Sequence, residues 1–348
     1  MNKFEQYLKT FYEGNISYYE TALILGEEGE VSFLFSIKRV IEVMDYGQEK
    51  KYVEGKDFII TGKGALKRLK GSSMPYLPYD EYYLDKPNSE VVVQVNPSIM
   101  KDKYFAFGEY DTFSKHQICV TYEHDEIDYG FEPIYQGDRL FRFFEKLRKK
   151  EDPTFLFYGD SITEGWNTSG TVFGGNTAPH MDPWPLLVTK ELEKRYNAKI
   201  NYINTALGGT TSEWALKNIK ERVIDYKPDL VLLAFGMNDG ALNLEIYKSR
   251  LEEMIRLLEE ANPNIEIILL SSIVPNPKST WYMGQNHFVE KIKELGKDNV
   301  AIVDMTSVHL KLLEHKEFKD MTGNNVNHPN DYLVRVHAHI LLKVIDKK

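Results

Sequence analysis

A chain of 348 residues is longer than one hydrophobic core usually organises, and 42% hydrophobic with 27% charged residues excludes disorder, collagen-like repeats and coiled coil. The net charge of -9, spread over both halves, lacks the basic excess of a nucleic-acid or anionic-membrane binder. One cysteine, Cys119, excludes an intrachain disulfide and a cysteine-cluster metal site, and no apolar run approaches the roughly 18 residues of a membrane-spanning helix.

The opening residues carry acids and tyrosines where a secretory leader needs an apolar stretch, so a cytoplasmic location is expected. From about residue 16 to 135 the chain reads as short alternating or β-branched runs, at 31–44, 57–61, 90–95, 104–110 and 117–122. Turn clusters such as Lys86-Pro87-Asn88-Ser89 separate them, the pattern of an all-β sandwich. Most of the 22 tyrosines fall here; they suit half-buried sheet faces and could also bind sugars, with packing the favoured reading. Cys119 lies in an apolar alternating run and reads as a small core residue. The basic stretch 142–150 reads as a short amphipathic helix or linker, which Glu151-Asp152-Pro153 breaks, so domains of 1–150 and 151–348 are expected.

After Pro153 the period changes. Apolar strand candidates at 154–158, 199–204, 229–235, 265–271 and 299–304 alternate with helical patterns at 183–196, 212–226, 244–261, 288–295 and 330–345. That alternation predicts an α/β unit, a doubly wound parallel sheet whose ligands sit beyond the C-terminal strand ends. The residues able to do chemistry gather at those ends. The first strand runs into Gly159-Asp160-Ser161-Ile162-Thr163, the second into Asn204-Thr205-Ala206-Leu207-Gly208-Gly209, and the third into Gly236-Met237-Asn238-Asp239. Val326-Asn327-His328-Pro329 stands just before the last helix. A serine in a tight strand-to-helix turn presents its hydroxyl at the sheet edge, and a histidine can take its proton.

Taken singly, Gly208 is a turn glycine, Asn238 a helix cap and Ser161 a capping serine. Together and in this order, the four blocks resemble those of the SGNH (GDSL-type) hydrolases, over about residues 153–348. The resemblance implies a serine esterase on a flavodoxin-like sheet, with Ser161 as nucleophile, His328 as base, and the Ser161 and Gly208 amides with the Asn238 side chain as oxyanion donors. It departs from the family at one place. The usual Asp-x-x-His has Asn325 three residues before His328. Either an amide or backbone carbonyl orients His328, with Asn325 the candidate, or a carboxylate arrives from elsewhere, with Asp331, Asp320 and Asp304 as candidates. For Asp331, capping the last helix is the better reading, and Asp160 is read as bracing its own turn.

His309, His315, His337 and His339 fall in helical stretches and read as core or surface groups. The remaining histidines, His116, His124, His180 and His287, lack metal-ligand spacing, so no metal and no cofactor is expected. The glycines of 170–175 lack a phosphate-loop ending and read as a flexible lip. Trp166 and Trp281 are candidates for contacting substrate. A β-sandwich, jelly-roll-like, followed by such a hydrolase is similar to two-domain bacterial carbohydrate esterases, which implies removal of acetyl groups from oligosaccharides, with no nucleic-acid or membrane partner. A thioesterase or lysophospholipase on the same scaffold, and a sugar-binding protein with a decayed site, are the rival readings.

Overall fold

The computed structural model describes residues 3–9, 14–125 and 131–347; residues 126–130, inside the stretch read as β, lie outside them. The N-terminal half is built from β1 (Ile16–Leu23), β2 (Glu30–Val31), β3 (Arg39–Asp45), β4 (Phe58–Ile60), β5 (Leu66–Arg68), β6 (Tyr83–Leu84), β7 (Tyr104–Phe105) and β8 (Gln117–Glu123). They form small antiparallel sheets in the orders β1-β8-β3, β2-β5-β4 and β6-β7. β8 is central because it pairs with β1 on one edge and β3 on the other, and its first six residues are buried. Ile118, Val120 and Tyr122 point into the main core. Cys119 is buried, and burial pushes its thiol up to about 12, in keeping with a packing role.

The run at 90–95 does not form a ladder strand. Gln94 and Val95 make single bridges to Tyr104 and Ser279, and Val91 and Val92 stay exposed. The expected run at 104–110 shortens to β7, after which the backbone bonds to side chains and loops rather than to a neighbouring strand.

The second half follows the sequence closely. β9 (Thr154–Gly159), β10 (Asn201–Asn204), β11 (Leu230–Ala234), β12 (Glu266–Leu270) and β13 (Val300–Val303) make one sheet in the order β10-β9-β11-β12-β13, every pair parallel. This is the flavodoxin-like order, whose crevice opens where the connections reverse beside the first strand. Alternation along each strand sends Phe155, Phe157, Leu230 and Leu232 to one face and Leu156, Tyr158, Val231 and Leu233 to the other, so both faces are apolar and helices cover both.

The first of those faces shares a core with the N-terminal sheets. One cluster of buried side chains runs from Val43, Val120 and Tyr122 through Leu333 and Val336 of the last helix, Asp331–Ile345, to Phe157. The helix Phe141–Lys149 also lies on the parallel sheet. The Phe143 ring packs on Phe155 with centroids 5.4 Å apart, and the Arg142 and Phe143 amides donate to the Glu266 carboxylate at 2.8 Å.

Candidate active site

β9 ends at Gly159, and Asp160 turns the chain into a single helical turn, Ser161–Glu164. The Asp160 carboxylate accepts from the Ile162 amide at 3.0 Å and so caps the turn. Burial raises this carboxyl to about 7. Its geometry braces the turn and leaves the Ser161 hydroxyl pointing into a cavity of about 470 Å³.

The same cavity receives Gly208 from the end of β10, Asn238 from the end of β11, and His328 from the loop before the last helix. His328 Nε2 lies 2.9 Å from Ser161 Oγ. On its other side, Nδ1 lies 2.8 Å from Asn167 Oδ1 and 3.2 Å from Glu109 Oε2. Asn167 Nδ2 donates to the carbonyls of Tyr110 and Gly323, which turns its oxygen toward the ring. Both neighbours of Nδ1 are acceptors, so Nδ1 carries the hydrogen and Nε2 is left to accept from the serine.

The expected orienting group is displaced. Asn325 is fully buried, and its Oδ1 accepts from the Tyr82 hydroxyl at 3.0 Å while Nδ2 donates to the Ala106 carbonyl at 3.1 Å. It sits at φ 69°, a left-handed turn that asparagine tolerates and that swings the side chain away from His328. Asp331 turns to another partner: its Oδ1 accepts from the Ser169 amide at 2.9 Å, and the cap of the last helix is Asn330. Asp320 accepts from the Leu23 amide, and Asp304 caps the helix Met305–Leu313. The groups that reach the ring, Asn167 and Glu109, were missed because nothing in local spacing marks them. Asn167 lies 161 residues from His328 in sequence and Glu109 lies 219 away.

Gly208 also departs from expectation. Its amide does not face the cavity free but donates to Glu164 Oε2 at 2.7 Å, and the same oxygen accepts from Trp166 Nε1 at 2.9 Å. A Cβ at 208 would lie 3.1 Å from that indole nitrogen, tight enough that the Trp166 side chain would have to give by a few tenths of an ångström. Asn238 Nδ2 donates to the Thr210 carbonyl at 2.9 Å, and as an amide nitrogen has two hydrogens, a second donor remains for the cavity.

Trp166 stacks on Phe173, with centroids 4.8 Å apart, and together they wall one side of the cavity. Trp281 stands on another side, with its indole N–H on the Val92 carbonyl. The glycines of 170–175 are not a loose lip. Val172–Gly174 is a turn of 3-10 helix capped by Thr171, and a Cβ on Gly174 would lie 1.8 Å from the Thr168 carbonyl oxygen. His309 and His337 are buried, and burial lowers them to about 3 and about 4; His337 bonds to the Leu333 carbonyl inside its own helix.

Residues 157–335 match the model of the GDSL-like Lipase/Acylhydrolase family. The chain is 26% identical over 123 residues to an arylesterase of Vibrio mimicus, covering 35% of this chain and 56% of that protein. It is 23% identical over 137 residues to a thioesterase 1/protease 1/lysophospholipase L1 of Escherichia coli, covering 39% of this chain and 59% of that one. The matched stretches thus span little more than half the length of these relatives. Among solved structures, a two-domain esterase active on acetylated mannans is similar in fold, with a TM-score of 0.51, 22% identity, and coverage of 63% of this chain and 56% of the other. The matched segment contains the Ser161, Gly208, Asn238 and His328 blocks, and the chain belongs to the GDSL-like lipase/acylhydrolase family.

Proposed function

We propose that the protein is a serine esterase acting on short acyl esters, acetyl above all, carried by oligosaccharides. The observation that carries this reading is the 2.9 Å contact between Ser161 Oγ and His328 Nε2 at the wall of an open cavity. In this reading His328 Nε2 takes the Ser161 proton as Oγ bonds to the ester carbonyl carbon, and the carbonyl π pair moves to oxygen. The Ser161 amide, first in its turn and without an intrahelical acceptor, and Asn238 Nδ2 are the donors nearest to hand for that oxyanion. Collapse expels the alcohol, which leaves with the proton from Nε2. Water then repeats the sequence on the acyl-serine, releasing the carboxylic acid and restoring Ser161.

The Gly208 amide joins the oxyanion donors only if Glu164 releases it. Substrate class is read from the walls. The rings of Trp166, Phe173 and Trp281 offer flat apolar faces of the kind sugar rings stack on, and a volume of about 470 Å³ lies in the range of small-molecule sites. The jelly-roll character of the N-terminal half, its role as a module of 1–150 beside 151–348, and a cytoplasmic location belong to the same proposal.

The test is release of acetate from acetylated xylo- and manno-oligosaccharides, set beside nitrophenyl esters of increasing chain length. Activity is expected to be highest on acetyl esters, to persist in EDTA and to vanish in Ser161→Ala with the fold intact. Rates rising beyond butyrate would favour the thioesterase or lysophospholipase reading. That reading draws on Leu207 and Val326 in the cavity wall. Failure of Ser161 to react with a fluorophosphonate would mark a decayed site.

A further inference from the structure

Position 325 supplies no acid to His328, yet a carboxylate does reach the ring. We propose that Glu109, from the N-terminal β half, is the acidic positioning residue of the Ser161 and His328 pair; this rests on the esterase reading of the site.

Three observations carry it. The first is the hydrogen-bond frame. Glu109 Oε2 lies 3.2 Å from His328 Nδ1, and Oε1 accepts from Asn324 Nδ2 at 3.2 Å. Asn324 in turn uses its Oδ1 to accept from the amides of Val326, Asn327 and His328, each at 3.0 Å. One carboxylate therefore holds both the ring and the side chain that shapes the loop carrying the ring. The backbone that delivers it is tied down on both sides. The Ala106 amide donates to the Tyr82 carbonyl at 2.9 Å, the Phe107 amide to Asn88 Oδ1 at 3.1 Å, and the Thr112 hydroxyl to the Glu109 carbonyl at 2.7 Å.

The second observation is the charge environment. The Glu109 side chain is 19% exposed and that of His328 7%, and among the described residues His328 is the one basic group within 4.0 Å of the carboxylate. A mostly shielded carboxylate without a lysine or arginine gains most when its histidine becomes cationic.

The third is a division of labour with Asn167. The Asn167 oxygen, the closer acceptor at 2.8 Å, fixes the ring tautomer but is neutral. Glu109 adds the negative charge that favours imidazolium while the Ser161 proton resides on Nε2. The Nδ1 proton stays on the histidine throughout, and Glu109 remains a carboxylate.

The experiment compares Glu109→Gln and Glu109→Asp with the full-length wild type by steady-state kinetics on nitrophenyl acetate. Thermal melts check the fold. In Glu109→Gln kcat is expected to fall about 10- to 100-fold with KM changed less than about twofold. That is milder than the roughly 10⁴-fold loss for asparagine in place of a triad aspartate, because Asn167 still holds the tautomer. Glu109→Asp keeps the charge at a longer distance and should recover part of the loss.

A second readout needs no turnover. The His328 Nδ1–H proton should appear in the proton NMR spectrum far downfield of the amides in wild type and move upfield in Glu109→Gln. A kcat in Glu109→Gln within twofold of wild type, or an unmoved Nδ1–H signal, overturns the proposal. Equal loss in the Gln and Asp variants would do so too, since a purely structural role does not read charge. If wild type and Ser161→Ala alike leave the ester intact, it is the esterase reading that fails, and the NMR signal still decides for or against Glu109.

Discussion

At Asp160 one side chain does two things that pull against each other. Its carboxylate caps the Ser161–Glu164 turn, yet full burial raises it to about 7 from an ordinary 3.8, with Asp239 and Glu164 adding repulsion. Below about pH 4 the folded and unfolded chains both hold the proton. Between 3.8 and about 7 the unfolded chain releases it and the folded chain does not, so this group's contribution to stability is lost as pH rises through that window and is gone above it. Asp160→Asn keeps an N-cap acceptor without the ionisation. The melting temperature of the variant relative to wild type should therefore climb between pH 4 and pH 7; a constant difference over that range would contradict the buried-acid account. Glu164 is a further residue with two tasks: by accepting from both Gly208 and Trp166 it ties the glycine block to the aromatic wall.

The loop of residues 322–330 shows how far a motif can mislead about its own neighbours. The family pattern would place an acid at 325, but the left-handed backbone there turns the side chain toward Tyr82 and Ala106. Asn325→Asp, which writes the usual Asp-x-x-His into the chain, is thus expected to leave kcat no higher than wild type. It should also lower the melting temperature, since a carboxylate oxygen would replace the Nδ2 donor facing the Ala106 carbonyl. A rise in kcat would show that the loop can re-form around an acid at 325. The parallel strands and their helices were legible because strands buried on both faces leave continuous apolar runs, as at β11 and β12. The serine, glycine and asparagine blocks were legible because each directly follows an apolar strand of the parallel sheet, and the histidine block because it directly precedes the last helix. Residues 90–95 were not, because three valines in a row satisfy strand patterning whether or not a partner strand is there to pair with them. Glu109 was invisible for a different reason: its meeting with His328 depends on how the two halves dock, which no local pattern encodes.

On the scale of the whole molecule, the N-terminal sheet is stitched to the segment that leads to His328. Lys316, fully buried, pairs with the buried Glu20 at 2.6 Å and donates to the Thr21 carbonyl at 3.0 Å, while Glu20 also accepts from the Leu34 amide and the Tyr122 hydroxyl. Gln117 Nε2 donates to the carbonyls of Lys319 and Thr322, and Asn330 Nδ2 bridges to Thr21 and Gln117. Lys316→Met would leave Glu20 buried without its cation, a change of about 3 to 5 kcal/mol in the destabilising direction. Denaturant titration should show it as a lowered midpoint, in one transition that reports both halves together because they share a core. Two separate transitions, or a midpoint unchanged by the substitution, would contradict that coupling. The same stitching sets a tempo. Thr21 and Asp320 meet across 299 residues of sequence, and Glu20 and Lys316 across 296. Closing loops of that length is entropically slow, so a chain emerging from the ribosome holds residues 20 and 21 long before their partners at 316 and 320, and the Ser161 and His328 contact is expected to form only after that docking, in a step that short-range structure does not hasten.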